Sequence, residues 1–405
     1  MITVDAAESR DATLVLPCGF TAAGIHCGLK KSRPDLALLV SEVPASAAGM
    51  FTQNKARAAC VVIDEEKLVA GVAQAVVVNS GNANACTGAR GFDDARTMTA
   101  AVAAELGLDD ALVLGASTGL IGRALPVELI VAATPALVAA LDRDAMPAAR
   151  AILTTDAFTK TAAARLSLGD GAVSIVGFAK GAGMIHPDLA TMIAVLATDA
   201  AIDPGHLREA LRTVVGRSFN CITVEGDTST NDSVFVLANG ASGCAPLAGP
   251  GDPRYEAFVA SLGDVAERLA RAIVEDGEGA QHVVEVVVQG ARDDGEARVA
   301  GRTVMTSVLV KTAVYGAELN WGRLAAALGR SGVEFELDRL SLSIGDVEFV
   351  RDGVGIPWRY ALAEPLLEER ELRFTIDLGL GTGSFRGWTS DLGIEYVKFN
   401  SGYLT

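Results

Sequence analysis

The sequence predicts a mixed α/β (or α+β) protein of about two domains. Short apolar runs typical of strands alternate with longer segments whose apolar residues recur at helical spacing. The chain has 405 residues, which suits about two domains of ordinary size. Hydrophobic residues make up 50% of it but aromatic residues only 5%, so we expect cores built mainly from Ala, Val and Leu.

The first predicted elements are a strand and a helix. Residues 75–78 (AVVV) form a buried-strand candidate that runs into the turn-rich stretch NSGNANACTG. A helix is expected over 93–106, with Asp93 or Asp94 as its N-cap and Gly107 at its end.

The remaining predicted elements are one long helix, one loop and several strands. The helix covers 255–274, because its apolar residues recur at intervals of three and four. The patch GCAPLAGPGDPR at 243–254 is the clearest candidate for a loop or domain edge. Strands are expected over 112–114, 192–197, 283–288, 304–310 and 372–376.

Composition narrows the classes of function. A net charge of −16 argues against nucleic acid as a partner, because that binding needs a basic surface. The apolar runs are too short to span a bilayer, and early acidic residues argue against a signal peptide. Six scattered cysteines without a C-x-x-C pair fit a reducing cytoplasm. Four separated histidines form no metal motif, so we expect neither metal nor cofactor.

The stretch at 180–200, KGAGMIHPDLATMIAVLATDA, is the most informative part of the chain. The pair Ala190 and Thr191 joins a loop-like half to the apolar run predicted as a strand. If the backbone is cut before Thr191, its new α-amine, with a pKa of about 7.7–8.0, can act as general base for its own hydroxyl. An ordinary loop-to-strand junction is the alternative at this position.

Several polar, glycine-bearing segments stand near predicted strand ends, where binding sites are often built. In GASTGLIG, the Thr118 hydroxyl and the Gly119 N–H can both point at one developing oxyanion, although a simple turn is the alternative. EGDTSTND at 225–232 is a turn rich in capping side chains or, alternatively, a cation site. The others are TTD at 154–156, EDGEGA with Glu278, and the C-terminal KFNSGYLT.

Together these segments resemble one family over nearly the whole chain, the ornithine acetyltransferases or glutamate N-acetyltransferases of arginine biosynthesis. The resemblance rests on PASAAGMFTQN, VVVNSGNANACTG, STGLIG, TTD, KGAGMIHPDLATM, FNCITVEGDTSTND, LVKTAVYGAELNWGRLAAALGRSG and the C-terminal asparagine and threonine. It implies a two-domain, autoprocessed fold and transfer of an acetyl group from N2-acetyl-L-ornithine to L-glutamate. Acetyl-CoA is a further donor in some members.

The resemblance also implies roles for individual residues. The precursor would cut itself between Ala190 and Thr191 into an α chain, 1–190, and a β chain, 191–405, which assemble as α2β2. Thr191 would be the nucleophile, and Thr118 and Gly119 the oxyanion hole. The substrate-binding set would be Thr154, Lys180, Thr191, Glu278, Asn400 and Thr405.

Four positions depart from the family pattern: Cys18, His186, Asp188 and Cys221. None is a proposed nucleophile or oxyanion residue, and His186, Asp188 and Cys221 bear on the donor range. Two other functions keep the same fold. An autoprocessed aminopeptidase or amidohydrolase would pass the acyl group to water. A silent binding or assembly protein would neither cut itself nor form an acyl-enzyme.

Overall fold

The computed structural model describes residues 13–186 and 192–402. The strands are β1 (Phe20–Ile25), β2 (Leu36–Phe51), β3 (Val72–Asn82), β4 (Val113–Leu120), β5 (Lys160–Ser167), β6 (Ala172–Lys180), β7 (Ile193–Thr198), β8 (Ile222–Thr223), β9 (Ser233–Ala238), β10 (Val283–Ala291), β11 (Ser341–Ile344), β12 (Val347–Arg351), β13 (Val354–Gly355), β14 (Glu371–Asp377) and β15 (Gly383–Ser390). The helices are α1 (Ala59–Lys67), α2 (Gly88–Leu106), α3 (Val127–Ala139), α4 (Met146–Ala151), α5 (Pro204–Arg217), α6 (Pro253–Glu275), α7 (Asp294–Met305), α8 (Val308–Tyr315), α9 (Trp321–Gly329), α10 (Pro357–Ala363) and α11 (Ile394–Gly402). The predicted mixed α/β class is therefore confirmed.

The first sheet combines strands from both sides of position 191. Its order is β4, β3, β2, β9, β7, β6 and β5, and β1 pairs with β2 at the side. Lys180 of β6 stands opposite Ile193 of β7 in an antiparallel pair, and Ile193 stands beside Ser233 of the parallel β9. Because β9 and β7 lie between β2 and β6, the sheet is complete only when both parts of the chain are present.

The second sheet has the order β13, β12, β11, β14, β10, β15 and β8. Helix α6 packs against β5 and β6 of the first sheet and also contacts β15 of the second. Its Phe258, Leu262 and Leu269 are buried in one apolar core that includes residues of both sheets. This shared core fixes the two sheets around the long helix.

Strand β7 is buried on both faces. Ala194 and Leu196 belong to the core around α6, whereas Ile193 and Val195 belong to the core on the opposite face of the sheet. A strand covered on both sides reads as a continuous apolar run, which is why MIAVLA predicted it.

The predicted strands at 75–78, 283–288 and 372–376 and the helix at 255–274 are confirmed by β3, β10, β14 and α6. The loop predicted at 243–254 is confirmed up to Asp252, where the N-cap of α6 stands. The strand predicted at 112–114 begins one residue later, since Leu112 ends a short 3-10 helix, and it is longer than predicted, because β4 continues through the STG segment.

The predicted strand at 304–310 is wrong. These residues form the end of α7 and the start of α8. Buried Ala297, Ala300 and Val304 recur at helical spacing on α7, and the Asp293 side chain caps that helix by accepting the N–H of Glu296. Burial of this face outweighs the strand preference of the valines and threonines.

The predicted start of the helix at 93–106 is also wrong, although its end at Gly107 is confirmed. Helix α2 begins at Gly88, after the N-cap Thr87. Asp94 does not cap the helix but faces Arg90 one turn earlier, with 3.4 Å between Oδ2 and Nε.

No helix among the described residues is both long and apolar enough to cross a membrane.

Candidate active site

A cavity of about 220 Å³ collects most of the residues that the motifs singled out. Its predicted lining residues are Thr118, Gly119, Thr154, Lys180, Glu278 and Asn400. Three other predicted residues, Ala190, Thr191 and Thr405, lie outside the described residues. Segments far apart in the sequence therefore meet at one place in the fold.

Thr118 and Gly119 lie near the end of β4, where it pairs with Ser80 and Gly81 of β3. Thr118 is buried, and Gly119 has a φ of +133°. A Cβ added to Gly119 would stand 2.4 Å from the carbonyl carbon of Gly81. Only glycine fits this backbone, because any side chain would collide with β3, and Gly119 itself lines the cavity.

Asn231 connects β4 to the segment that leads into β9. Its side-chain amide donates to the carbonyl of Ser117 over 2.8 Å and to that of Ala83 over 2.6 Å. The Ser117 hydroxyl in turn donates to Asn79 Oδ1 at 2.6 Å. These buried hydrogen bonds hold the end of β4 next to the start of β9, although the two strands are not neighbours in the sheet.

Lys180 is the buried cation of the cavity. Its Nζ lies 3.4 Å from Thr118 Oγ1. Burial lowers the pKa of Lys180, while the nearby carboxylate of Asp156 opposes that shift. The ammonium is thus close to the hydroxyl that the sequence assigns to the oxyanion hole.

The buried carboxylate of Asp156 lies next to the cavity residues Thr154 and Lys180. Its two oxygens accept the N–H of Thr154 at 2.8 Å and the N–H of Gly181 at 2.7 Å. Lys160 donates to Asp156 at 2.7 Å and to Asp276 at 2.5 Å. Burial disfavours the charge on Asp156, but Lys160, Lys180 and the Gly181 N–H outweigh burial and hold the pKa of Asp156 well below its usual range.

Glu278 and Asn400 approach from the C-terminal part of the chain. The Asn400 side chain on α11 donates to Glu278 Oε2 at 2.9 Å, and the Glu278 N–H donates to the carbonyl of Ala182 at 2.9 Å. A Cβ at Gly183 would stand 2.5 Å from the Glu278 carboxyl carbon. Gly183 in KGAGM therefore lets this carboxylate lie against the backbone.

The backbone next to position 191 is fixed by Asp232 and Ser233. The N–H of Met192 donates to Asp232 Oδ1 at 3.0 Å, and the carbonyl of Met192 accepts the N–H of Ser233 at 3.1 Å. Burial raises the pKa of Asp232 well above its usual range, against the opposing effects of that N–H and of Lys180. These hydrogen bonds fix the backbone of Met192, the residue that follows Thr191 in the sequence.

Sequence reasoning missed three ionisable groups in the cavity, namely Glu225, Asp227 and Tyr396. The motif EGDTSTND pointed to the segment but not to the carboxyl groups that face inward. Among residues 13–186 and 192–402, no group of three His, Cys, Asp or Glu side chains could hold a metal ion. The cation site considered at 225–232 has no such group in the described part of the chain.

Of the four departures from the family pattern, the three described ones lie outside the cavity lining. Cys221 is buried and its Sγ donates to the carbonyl of Gly216 at 3.3 Å, with Arg298 beside it. His186 Nδ1 lies 3.3 Å from the Thr223 hydroxyl, and Cys18 is exposed. Asp188 lies outside the described residues.

Comparison with known proteins gives the same family over almost the full length. The model of the ArgJ family matches residues 21–405. A protein of Symbiobacterium thermophilum named "Arginine biosynthesis bifunctional protein ArgJ" is 48% identical over 393 residues, 96% of this chain and 98% of that protein. A protein of the same name from Geobacter sulfurreducens is 46% identical over 390 residues, 96% of this chain and 99% of that protein. Among solved structures, the arginine biosynthesis bifunctional protein of Bacillus halodurans is 39% identical, with a TM-score of 0.49 over 51% of this chain and 96% of that chain.

Proposed function

Because the chain belongs to the ArgJ family, we propose that it transfers an acetyl group from N2-acetyl-L-ornithine to L-glutamate in arginine biosynthesis. The products are L-ornithine and N-acetyl-L-glutamate, and the activity is that of a glutamate N-acetyltransferase. Both relatives are named bifunctional. We therefore include acetyl-CoA as a second donor, which adds an amino-acid N-acetyltransferase activity. The observation that carries the proposal is the meeting of six motif residues in one cavity.

In this proposal Thr191 is the nucleophile and the chain activates it by cutting itself. The Thr191 hydroxyl attacks the carbonyl carbon of Ala190, the peptide C–N bond breaks, and an ester forms while the proton passes to the new amine. Water then hydrolyses the ester, leaving a carboxylate on Ala190 and a free α-amine on Thr191. The support is the anchoring of Met192 by Asp232 and Ser233 at the start of β7.

Transfer proceeds in two acyl steps. The Thr191 amine takes the hydroxyl proton while Oγ attacks the acetyl carbon of N-acetylornithine, and it returns the proton to the ornithine amine when the C–N bond breaks. The amine of glutamate then attacks the acetyl-threonine ester, releasing N-acetylglutamate. One amide replaces another, so the overall change in free energy is small and catalysis must lower the barrier.

Thr118 and Gly119 are proposed to stabilise the oxyanion in every tetrahedral intermediate. The close approach of Gly119 to Gly81 and the burial of Thr118 fix both groups at the cavity wall. Preorganised donors of this kind need no rearrangement when charge develops. The neighbouring Lys180 ammonium adds positive charge at the same end.

The remaining motif residues are proposed to hold the substrates. Lys180 pairs with the α-carboxylate that both amino acids share, and Glu278 pairs with the ornithine ammonium. Asn400 fixes the Glu278 carboxylate through their 2.9 Å hydrogen bond. Thr154 is held in place by Asp156. Thr405 completes the proposed set by resemblance.

Supplying purified protein with glutamate and N-acetylornithine should produce N-acetylglutamate and ornithine in equal amounts without acetyl-CoA. Mass spectrometry or chromatography of both products measures this. Acetyl-CoA with glutamate should also give N-acetylglutamate if the protein is bifunctional. Free acetate in place of N-acetylglutamate would instead identify a hydrolase, and no turnover with an uncut chain would identify a silent assembly protein.

Assembly and location complete the proposal. We place the protein in the cytoplasm, which agrees with six cysteines that are all unpaired thiols. The two chains are proposed to form an α2β2 tetramer, as the family resemblance implies. Light scattering of the purified protein tests the tetramer.

A further inference from the structure

The cavity has more acidic groups than a site for glutamate should tolerate. Its described charged lining residues are one cation, Lys180, and three carboxyl groups, Glu225, Asp227 and Glu278. Such a lining favours the side-chain ammonium of N-acetylornithine but repels the side-chain carboxylate of glutamate. On the proposed function, the same cavity must bind both substrates in turn, so its charge has to change between them.

We propose that Glu225 is the specificity-determining residue that makes this change, by carrying a proton when glutamate is bound and losing it when ornithine or N-acetylornithine is bound. The proposal rests on the proposed function and adds a residue to its substrate site. It requires no covalent step, since one proton is exchanged between the Glu225 carboxyl group and solvent as the substrates alternate.

The contacts of Glu225 suit this role. Its Oε1 accepts the N–H of Ile185 at 2.5 Å, in the loop that follows Lys180. Its Oε2 is buried and has no hydrogen-bond partner among the described residues. One oxygen is therefore anchored, while the other is a buried acceptor without a hydrogen-bond partner among the described residues, which a proton would satisfy.

Four ionisable side chains on different segments of the chain lie near Glu225. Asp227 is on the same loop as Glu225. Glu278 follows α6, Tyr396 is on α11, and Lys311 is on α8. Burial, Glu278 and Asp227 raise the pKa of Glu225 to about 8, against the opposing effects of the Ile185 N–H and Lys311. Both protonation states are then accessible near neutral pH.

Lys311 is the cation that opposes the rise in the pKa of Glu225. It is fully buried, donates to Thr389 Oγ1 at 2.8 Å and to the carbonyl of Ser390, and lies near Asp391 and Glu225. Burial lowers the pKa of Lys311 to about 7, against the charges of Asp391 and Glu225. A partly neutral Lys311 cannot hold Glu225 permanently ionised, which keeps the carboxyl group responsive to the ligand.

Calorimetric titration of wild type and Glu225→Gln with ornithine and with glutamate tests the proposal. Glutamine copies the shape of the protonated acid and cannot ionise. At pH 8, wild type should take up about half a proton on binding glutamate and release about half a proton on binding ornithine. Repeating each titration in two buffers of different ionisation enthalpy gives these proton counts. In Glu225→Gln, the proton uptake with glutamate and the proton release with ornithine should each be smaller by about half a proton.

Selectivity provides a second readout. Glu225→Gln should lower kcat/KM for N-acetylornithine by about 10–100-fold, because a negative charge beside the site of the ammonium is lost. The value for glutamate should stay within about threefold. Glu364→Gln removes an exposed carboxylate away from the cavity and serves as the matched control. Thermal unfolding verifies that each variant is folded.

Equal proton counts in wild type and Glu225→Gln would overturn the proposal. An equal fall in kcat/KM for N-acetylornithine and for glutamate would overturn it as well. Binding of the two ligands does not require turnover. A protein that binds both and makes no N-acetylglutamate would therefore refute the proposed function, while the proton counts would still decide the role of Glu225. Binding of neither ligand would overturn both.

Discussion

Replacing Thr191 with alanine should leave the chain uncut and lower acetyl transfer by at least about 10⁴-fold, because the nucleophile and the amine that activates it are both lost. Denaturing gels should show a single full-length band. Wild type should show two fragments of similar size, and N-terminal sequencing of one should begin Thr-Met-Ile-Ala. The fragments should nevertheless elute together under native conditions, because β7 and β9 lie between β2 and β6.

Thr191→Ser is the matched control for this variant. It keeps a hydroxyl and a future α-amine, so cleavage and transfer should continue at reduced rates. An uncut wild-type chain with full activity would refute self-cleavage. A Thr191→Ala protein that still transfers acetyl groups would show that another residue is the nucleophile.

Replacing Thr118 with alanine should lower kcat by about 10²–10³-fold with little change in KM, because an oxyanion donor acts mainly in the transition state. Self-cleavage should slow as well, since it passes through a similar tetrahedral intermediate. Steady-state kinetics and the time course of cleavage on gels measure the two effects. The Lys180 ammonium, 3.4 Å from the missing hydroxyl, should account for part of the remaining activity.

Thr118→Ser restores the hydroxyl and should recover most of the rate. Ser117→Ala removes the neighbouring hydroxyl, which faces Asn79 instead of the cavity. It should therefore affect stability more than kcat. If Thr118→Ala mainly raises KM, Thr118 binds the ground state of the substrate and does not stabilise the oxyanion.

The elements best predicted from the sequence are those whose burial pattern is local. The apolar face of α6 repeats every three or four residues, and β7 is apolar throughout because both of its faces are covered. The helices that replace the strand predicted at 304–310 depend on packing against distant elements, since α7 lies on β15 and β10. A local preference for strand could not reveal that contact.

In the cavity too, local motifs could be predicted from the sequence, whereas contacts between distant segments could not. Motif resemblance predicted six of its lining residues, although their catalytic and binding roles stay predictions. The network of Asp156, Lys160 and Asp276 joins residues more than a hundred positions apart, so no spacing rule could indicate it. The raised pKa of Glu225 likewise depends on burial and on the charge of Glu278, which comes close only in the folded chain.

The acetyl-threonine intermediate is the central claim, and the mass of the peptide that begins at Thr191 tests it most directly. The protein is mixed with N-acetylornithine without glutamate, quenched in acid and digested. We predict one acetyl group on Thr191 and a burst of ornithine that matches the amount of protein, with both lost in Thr191→Ala. Unmodified Thr191, in a protein that still transfers acetyl groups to glutamate, would contradict the claim.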